Sequence, residues 1–430
     1  MFKTLWRSRA AMVLIALTLR LVVVAFLYPQ RLDPDRDHWR FAGETGCIAR
    51  SIAQGRGFSS PLHADTGPTA WMTPLYPVLL AGVFKVFGVY TKASALVMLS
   101  LDSLFSALTC FPVFLIARKR FGDRAAIWSG WAWAFFPYAI YFSADFIWAT
   151  TLTTLMVAWI FYAALSLEET DSVATWAAFG LLCGISALID PVILSVAAPV
   201  AAWMTFRLWP QRRWIRSSAA ALVVFAAVVS PWFVRNYRVF HTVIPFRDNI
   251  GLELHLGNNG ETWHFAPEGF HPSDTPREWE EYQRFGELHY MQHKRAQALE
   301  FIHTHPVVFI GLSLRRALYM WTNFWSFSRR YLNAEPTDPF NMFLCSALTV
   351  MALIGLMRAF RDDWTNAMPF AIALFCFPLV YYVTHPEDYY RRPIDPVFVV
   401  LAIAAVASWR AREEIRISKE AEAGELVLTA

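Results

Sequence analysis

Apolar runs of about 16–24 residues recur along this chain, and a helix needs about 20 residues to cross the hydrocarbon core of a bilayer. No other feature restricts the fold so tightly. Inside hydrocarbon the backbone finds no water, so each run must satisfy its own hydrogen bonds and is expected to be helix. Composition alone does not force this. A chain that is 56% hydrophobic and 17% charged, with mean hydropathy +0.35, could be a greasy soluble enzyme. The clustering of the apolar residues decides it. The 19 Trp and 35 Phe suit helix ends anchored by rings at lipid headgroups.

The net charge of +4 is small, and Lys and Arg gather in short breaks between runs, where they report orientation and give no sign of a nucleic-acid partner. Four of the five cysteines (Cys110, Cys183, Cys345, Cys376) fall in apolar runs and only Cys47 in a loop, so no disulfide framework or metal spacing emerges. Lys3, Arg7 and Arg9 precede the first run in the manner of a signal peptide. Leu27–Tyr28–Pro29 offers no small-residue cleavage site, however, and a retained signal anchor is expected.

Ten spans are expected, at residues 11–28, 96–117, 125–142, 146–167, 174–189, 192–206, 219–234, 343–357, 368–383 and 397–409. With both termini cytoplasmic, the Arg118–Lys119–Arg120 cluster, Arg207 with Arg212, Arg213 and Arg216, Arg358 with Arg361, and Arg410 with Arg412 all lie inside. The polar loops lie outside. Residues 74–88 are apolar but short and carry Lys85, so they are read as a juxtamembrane helix. Residues 295–325 look helical, but Arg315 and Arg316 would each cost about 2.5–3.5 kcal/mol at mid-bilayer, which puts this helix at the interface. The organisation expected is a 1–234 catalytic module with its first outer loop at 29–93, a second outer loop at 235–340, closing helices at 341–412 and an acidic, disordered tail at 413–430.

Three acid-bearing features fall on the outer side. Asp37 and Glu44 stand seven residues apart beside the apolar Ile48, Ala49, Ile52 and Ala53. Either can serve as a base at the membrane surface, or both are solvated loop charges. Asp145 lies between two spans, as a functional acid or as the cap of a helix beginning at Phe146. Arg391 and Arg392 open the last span, suited to a lipid phosphate or simply to fixing the helix end. Arg235 and Arg247 follow the seventh span and can face a headgroup. His255, His264, His289 and His293 have no ligand spacing and read as surface histidines. Nucleotide-binding and zinc-protease motifs are absent.

Residues 41–58, with Gly67–Pro68–Thr69–Ala70–Trp71–Met72–Thr73–Pro74–Leu75–Tyr76–Pro77, resemble the first outer loop of GT-C superfamily glycosyltransferases. The similar members are bacterial relatives of dolichyl-phosphate-mannose–protein mannosyltransferases and the lipid A aminoarabinose transferase. Ser230–Pro231–Trp232 with Arg235–Asn236–Tyr237, and Tyr389–Tyr390–Arg391–Arg392–Pro393 with Asp395–Pro396, look like later motifs of that group. The resemblance implies an all-α GT-C-like membrane enzyme that moves a sugar from a polyprenyl-phosphate carrier to a protein, glycan or lipid acceptor on the outer side of the cell membrane. A first-loop acid would act as base. Relatives carry an Asp-Glu pair where this chain has Phe41 and Ala42, so the base falls to Glu44 first and Asp37 second, with Asp145 as the second acid. Met72 and Thr73 stand where the aminoarabinose transferases have a lysine, so Arg391 and Arg392 are nominated for the carrier phosphate, with Arg247, Arg235 and Tyr76 beside them. No cofactor and no metal are expected. A transporter or lipid flippase, and a non-catalytic envelope scaffold, are the alternative readings.

Overall fold

A break at Gly122, the one residue of its helix with non-helical backbone (φ 84°), folds two apolar helices back on each other. The indole of Trp133 then donates to the Ser106 carbonyl at 2.9 Å across the hairpin. Such reversals build the whole molecule. The structure, a computed structural model, describes residues 6–31, 41–170, 172–208, 214–262, 269–323, 327, 329–334 and 338–407. Asp37, His264 and the acidic tail lie outside the described residues.

The helices are α1 (Arg9–Arg31), α2 (Gly43–Ala53), α3 (Leu75–Phe87), α4 (Lys92–Leu108), α5 (Cys110–Ala134), α6 (Pro137–Asp145), α7 (Ala149–Ser166), α8 (Val173–Ala187), α9 (Leu194–Leu208) and α10 (Trp214–Phe240). They continue with α11 (Ile250–Gly257), α12 (Pro276–Thr304), α13 (Pro306–Thr322), α14 (Arg329–Ala334), α15 (Asp338–Asp362), α16 (Trp364–Cys376), α17 (Leu379–Val383) and α18 (residues 395–407). No strand occurs among the described residues, and the chain is an all-α, multi-pass membrane protein. Seven helical stretches are long and apolar enough to cross a membrane. The expected ten are reached only by dividing the 43-residue stretch Lys92–Ala134 at Gly122 and by adding the shorter α8 and α18.

Arg20, the one deep charge of the first run, is fully buried and neutralises no carboxylate. It donates to the Ser106 hydroxyl at 2.8 Å and to the carbonyls of Ala16, Trp133 and Ala134 at 3.0–3.3 Å. The last two lie where α5 stops before Pro137, the Trp133 carbonyl with only a turn bond from the Phe136 N–H and the Ala134 carbonyl with no described backbone partner. An arginine inside a span is therefore the cap of a broken helix.

The basic breaks gather at one end of the bundle. Trp6 stacks on Trp131 at 4.6 Å, and Arg9 lies over Phe111. Lys119 pairs with Glu169, Arg120 and Arg207 share Glu168, Arg120 also donates to Asn366, and Arg358 donates to the Ala405 carbonyl. The N-terminus and the basic ends of three other helical segments thus share a face, as the charge pattern requires.

At the opposite end the two polar loops interlock. Leu62 and Trp71 of the first pack with Leu252, Tyr282, Tyr290 and Met291 of the second in a single apolar cluster. The helix expected at residues 295–325 is broken at His305–Pro306. Arg316 is buried there at 3% exposure, donating to the carbonyls of Gly257, Tyr382 and Val383. It joins α11, α13 and α17 instead of resting at a lipid surface.

Candidate functional site

Glu44 lies in the first turn of α2, which starts from a strained entry. Ala42 has φ +66°, and Gly43 φ +46°, a left-handed turn that a non-glycine residue adopts only under constraint. Phe41, Ala42 and Ala49 supply that constraint by packing with Tyr76 and Leu80 of α3 and Met98 and Leu99 of α4. A Cβ on Gly46 would collide with the Phe41 carbonyl, so only glycine lets the first turn close. The result is a buried carboxylate fixed in direction.

His271, from the second loop, places Nε2 at 3.0 Å from Glu44 Oε1. Its Nδ1 accepts the Ser273 N–H at 3.1 Å, and its ring meets Trp71 edge-on. Burial works against a charge on this ring, but hydrogen bonding to Glu44 and the Glu44 charge outweigh it and hold the pKa above the usual histidine value. Among the described residues no hydrogen bond takes up Glu44 Oε2. The side chain lines a small pocket with Cys47, Leu62, His63 and Ser273.

More ionisable groups surround this pair. Glu253 of α11 faces His385 Nδ1 at 3.3 Å, and His385 Nε2 lies 3.9 Å from Glu387. Arg247 stands near Asp190 and Glu253. Burial works to lower its pKa, and those two carboxylates more than offset it, so the guanidinium stays charged. No described hydrogen bond takes up the Arg247 donors. Tyr389 feels the charges of Glu44, Glu387 and Asp388 and packs on Phe142 and Trp148, so the first loop and the closing motif meet in one place.

The other nominated residues are engaged elsewhere. Arg391 donates to Asp395 Oδ1 at 2.9 Å, to the carbonyls of Trp321 and Cys345 and to the Thr349 hydroxyl. Arg392 donates to Asp395 Oδ2 at 2.9 Å, to Asn323 and to the Asp388 carbonyl, and it lies over the Tyr138 ring. Arg235 donates to the carbonyls of Phe58 and Thr69, bracing the first loop. Tyr76 is buried and donates to Asp102 at 3.0 Å. Asp145 is buried as the last residue of α6. The next helix starts at Ala149 with Trp148 as its N-cap, so Asp145 is not that helix's cap. Ala144 and Ile147, on either side of it, pack in the cluster that seats Phe41 and Ala49.

His255 departs from the surface reading. It is 7% exposed, and burial, with the Lys294 charge adding, pushes its pKa down to about 4. A buried carboxyl pair went unnoticed in the sequence. Glu287 accepts from the Thr69 hydroxyl and the Ala70 N–H, both at 2.6 Å, and the Asp248 carboxyl beside it is pushed up by burial and by the Glu287 charge. Among the described residues no three His, Cys, Asp or Glu side chains converge as metal ligands, so no step is routed through a metal ion.

The fold is similar to that of solved membrane oligosaccharyltransferases. The family model for dolichyl-phosphate-mannose-protein mannosyltransferase matches residues 71–234. The archaeal oligosaccharyltransferase AglB from Archaeoglobus fulgidus, in complex with an inhibitory peptide and a dolichol-phosphate, superposes with TM-score 0.58 at 14% identity. That match covers 98% of this chain and 52% of AglB. The apo form of the A. fulgidus oligosaccharyltransferase gives 0.55 at 13%, covering 96% and 52%. This chain therefore spans about half the length of these solved relatives. ArnT from Cupriavidus metallidurans bound to undecaprenyl phosphate is a looser likeness, with TM-score 0.42 at 16% identity, covering 92% and 77%. No curated protein matches by sequence.

Proposed function

We propose that this chain is an integral-membrane glycosyltransferase that moves a sugar from a polyprenyl-phosphate carrier to an acceptor on the outer side of the cytoplasmic membrane. The observation that carries this reading is the Glu44 carboxylate, pinned at one oxygen and set on a small pocket, in a cluster that also holds a charged Arg247 with donors to spare. The acceptor hydroxyl oxygen attacks the anomeric carbon while the bond from that carbon to the phosphate oxygen breaks. The electron pair leaves with the polyprenyl phosphate, and the hydroxyl proton passes to Glu44. Phosphate is a good leaving group and needs no proton, only a cation to stabilise its charge. Arg247, for which no hydrogen bond is described, fills that role in preference to Arg391 and Arg392, each of which is tied to Asp395 and to nearby carbonyls. A single displacement inverts the anomeric centre.

The test is release of undecaprenyl phosphate by the purified full chain. The donors are undecaprenyl-phosphate-linked mannose, glucose and 4-aminoarabinose, with an envelope extract as acceptor. Glu44→Gln is expected to slow turnover by about 10²–10⁴-fold, the usual contribution of a general base, with the melting temperature unchanged. A variant as fast as the wild type removes Glu44 from this role.

A further inference from the structure

We infer that His271 is the positioning residue of Glu44, so that the second outer loop supplies half of the base. The inference rests on the transferase reading above and adds a component that the first loop lacks. Glu44 and His271 stand 227 residues apart in sequence and meet at 3.0 Å. Because Nδ1 accepts the Ser273 N–H, the neutral ring carries its proton on Nε2, the atom that faces Glu44. A neutral imidazole in this tautomer sets its protonated Nε2 at 3.0 Å from Oε1, fixes where that oxygen sits and leaves Oε2 for the acceptor proton. Trp71 and the 8% exposure of the ring keep it from turning away.

Protonation of the ring has a definite consequence. A second proton must go on Nδ1, which loses the Ser273 N–H and turns a neutral close contact into an ion pair that weakens Glu44 as a base. The charges facing the ring are Glu44 from α2, Asp274 from its own loop and Glu253 from α11, all favouring the charged form. The ring's pKa is raised, so the inhibiting charge is present below that raised value and disappears above it. Activity should therefore fall as pH drops through a value above the ordinary 6.5 or so for histidine.

The experiment measures kcat, KM and the pH profile of undecaprenyl phosphate release for wild type, Glu44→Gln, His271→Ala and His271→Gln. His271→Ala is expected to lower kcat by about 10²-fold, the effect of a misplaced reacting group, with KM changed little. His271→Gln keeps an N–H donor but cannot titrate. It should recover most of kcat and lose the acidic limb set by the ring, remaining active to lower pH. If His271→Ala fails to fold, the pH limb of His271→Gln decides. Wild-type kcat and an unmoved acidic limb in both His271 variants, beside an inactive Glu44→Gln, overturn the inference and leave the base in place. A fully active Glu44→Gln overturns the base assignment, and the positioning role falls with it. Turnover of none of the three donors counts against the transferase reading and leaves nothing for His271 to position.

Discussion

Two carboxylates at the same end of the bundle have opposite surroundings. Asp395 is 1% exposed, and both of its oxygens are taken by guanidinium groups one helical turn away. Those guanidinium groups also tie down the carbonyls of Trp321, Cys345 and Asp388, which join α13, α15 and the loop before α18. Glu44 is also buried, but it is held by one histidine and lines a small pocket. A carboxylate with both oxygens taken can only hold elements together, whereas one with an oxygen left over retains the capacity to take a proton. Charge alone therefore does not distinguish a lock from a site. The count of free lone pairs and donors does.

This comparison can be broken most forcefully at Asp395. Asp395→Ala leaves two buried guanidinium groups without a counter-ion, a loss of about 3–5 kcal/mol. It should appear as a large drop in melting temperature or as failure to purify the detergent-solubilised chain. Wild-type stability would show that the pair is not a lock. The Glu287→Ala change is smaller. It orphans the Thr69 hydroxyl and the Ala70 N–H, each buried, and is expected to cost about 1–3 kcal/mol. Limited proteolysis between Phe58 and Trp71 should become faster, because that segment loses its anchor. An unchanged cleavage rate would mean that Arg235 alone suffices to hold it. The smallest effect sets the baseline. Arg118 and Asp123 pair at 2.9 Å but are 56% and 75% exposed, so Asp123→Ala should change stability by no more than about 0.5 kcal/mol in thermal melts.

Much of the fold was legible because the bilayer imposes local rules. A run of apolar residues must be helix wherever it sits, and a basic break must choose a side, so spans and their common face follow from short windows of sequence. Breaks inside runs were less visible. The reversal at Gly122 fell in the basic break already expected between residues 117 and 125, but Phe135–Pro137 read as continuous span, although Arg20 was a signal that something nearby needed donors. In the candidate site Glu44 was legible from its loop. His271 was not, since a lone histidine in a polar loop carries no local pattern. Glu253 and Glu287 carry no local motif that sets them apart from the other acids of the second loop. Arg391 and Arg392 were noticed for the right chemistry, but their partner Asp395, three and four residues on, is what commits them to the interior.

The sequence by itself determined that this chain is a stack of membrane-crossing helices with its basic breaks gathered on one side, because hydrophobic length and charge bias act residue by residue. Only the tertiary structure decided which acid is left with a free oxygen and which cation is left with free donors. Those properties depend on partners brought from hundreds of residues away, and a side chain's chemistry is set by which of its hydrogen bonds are already made.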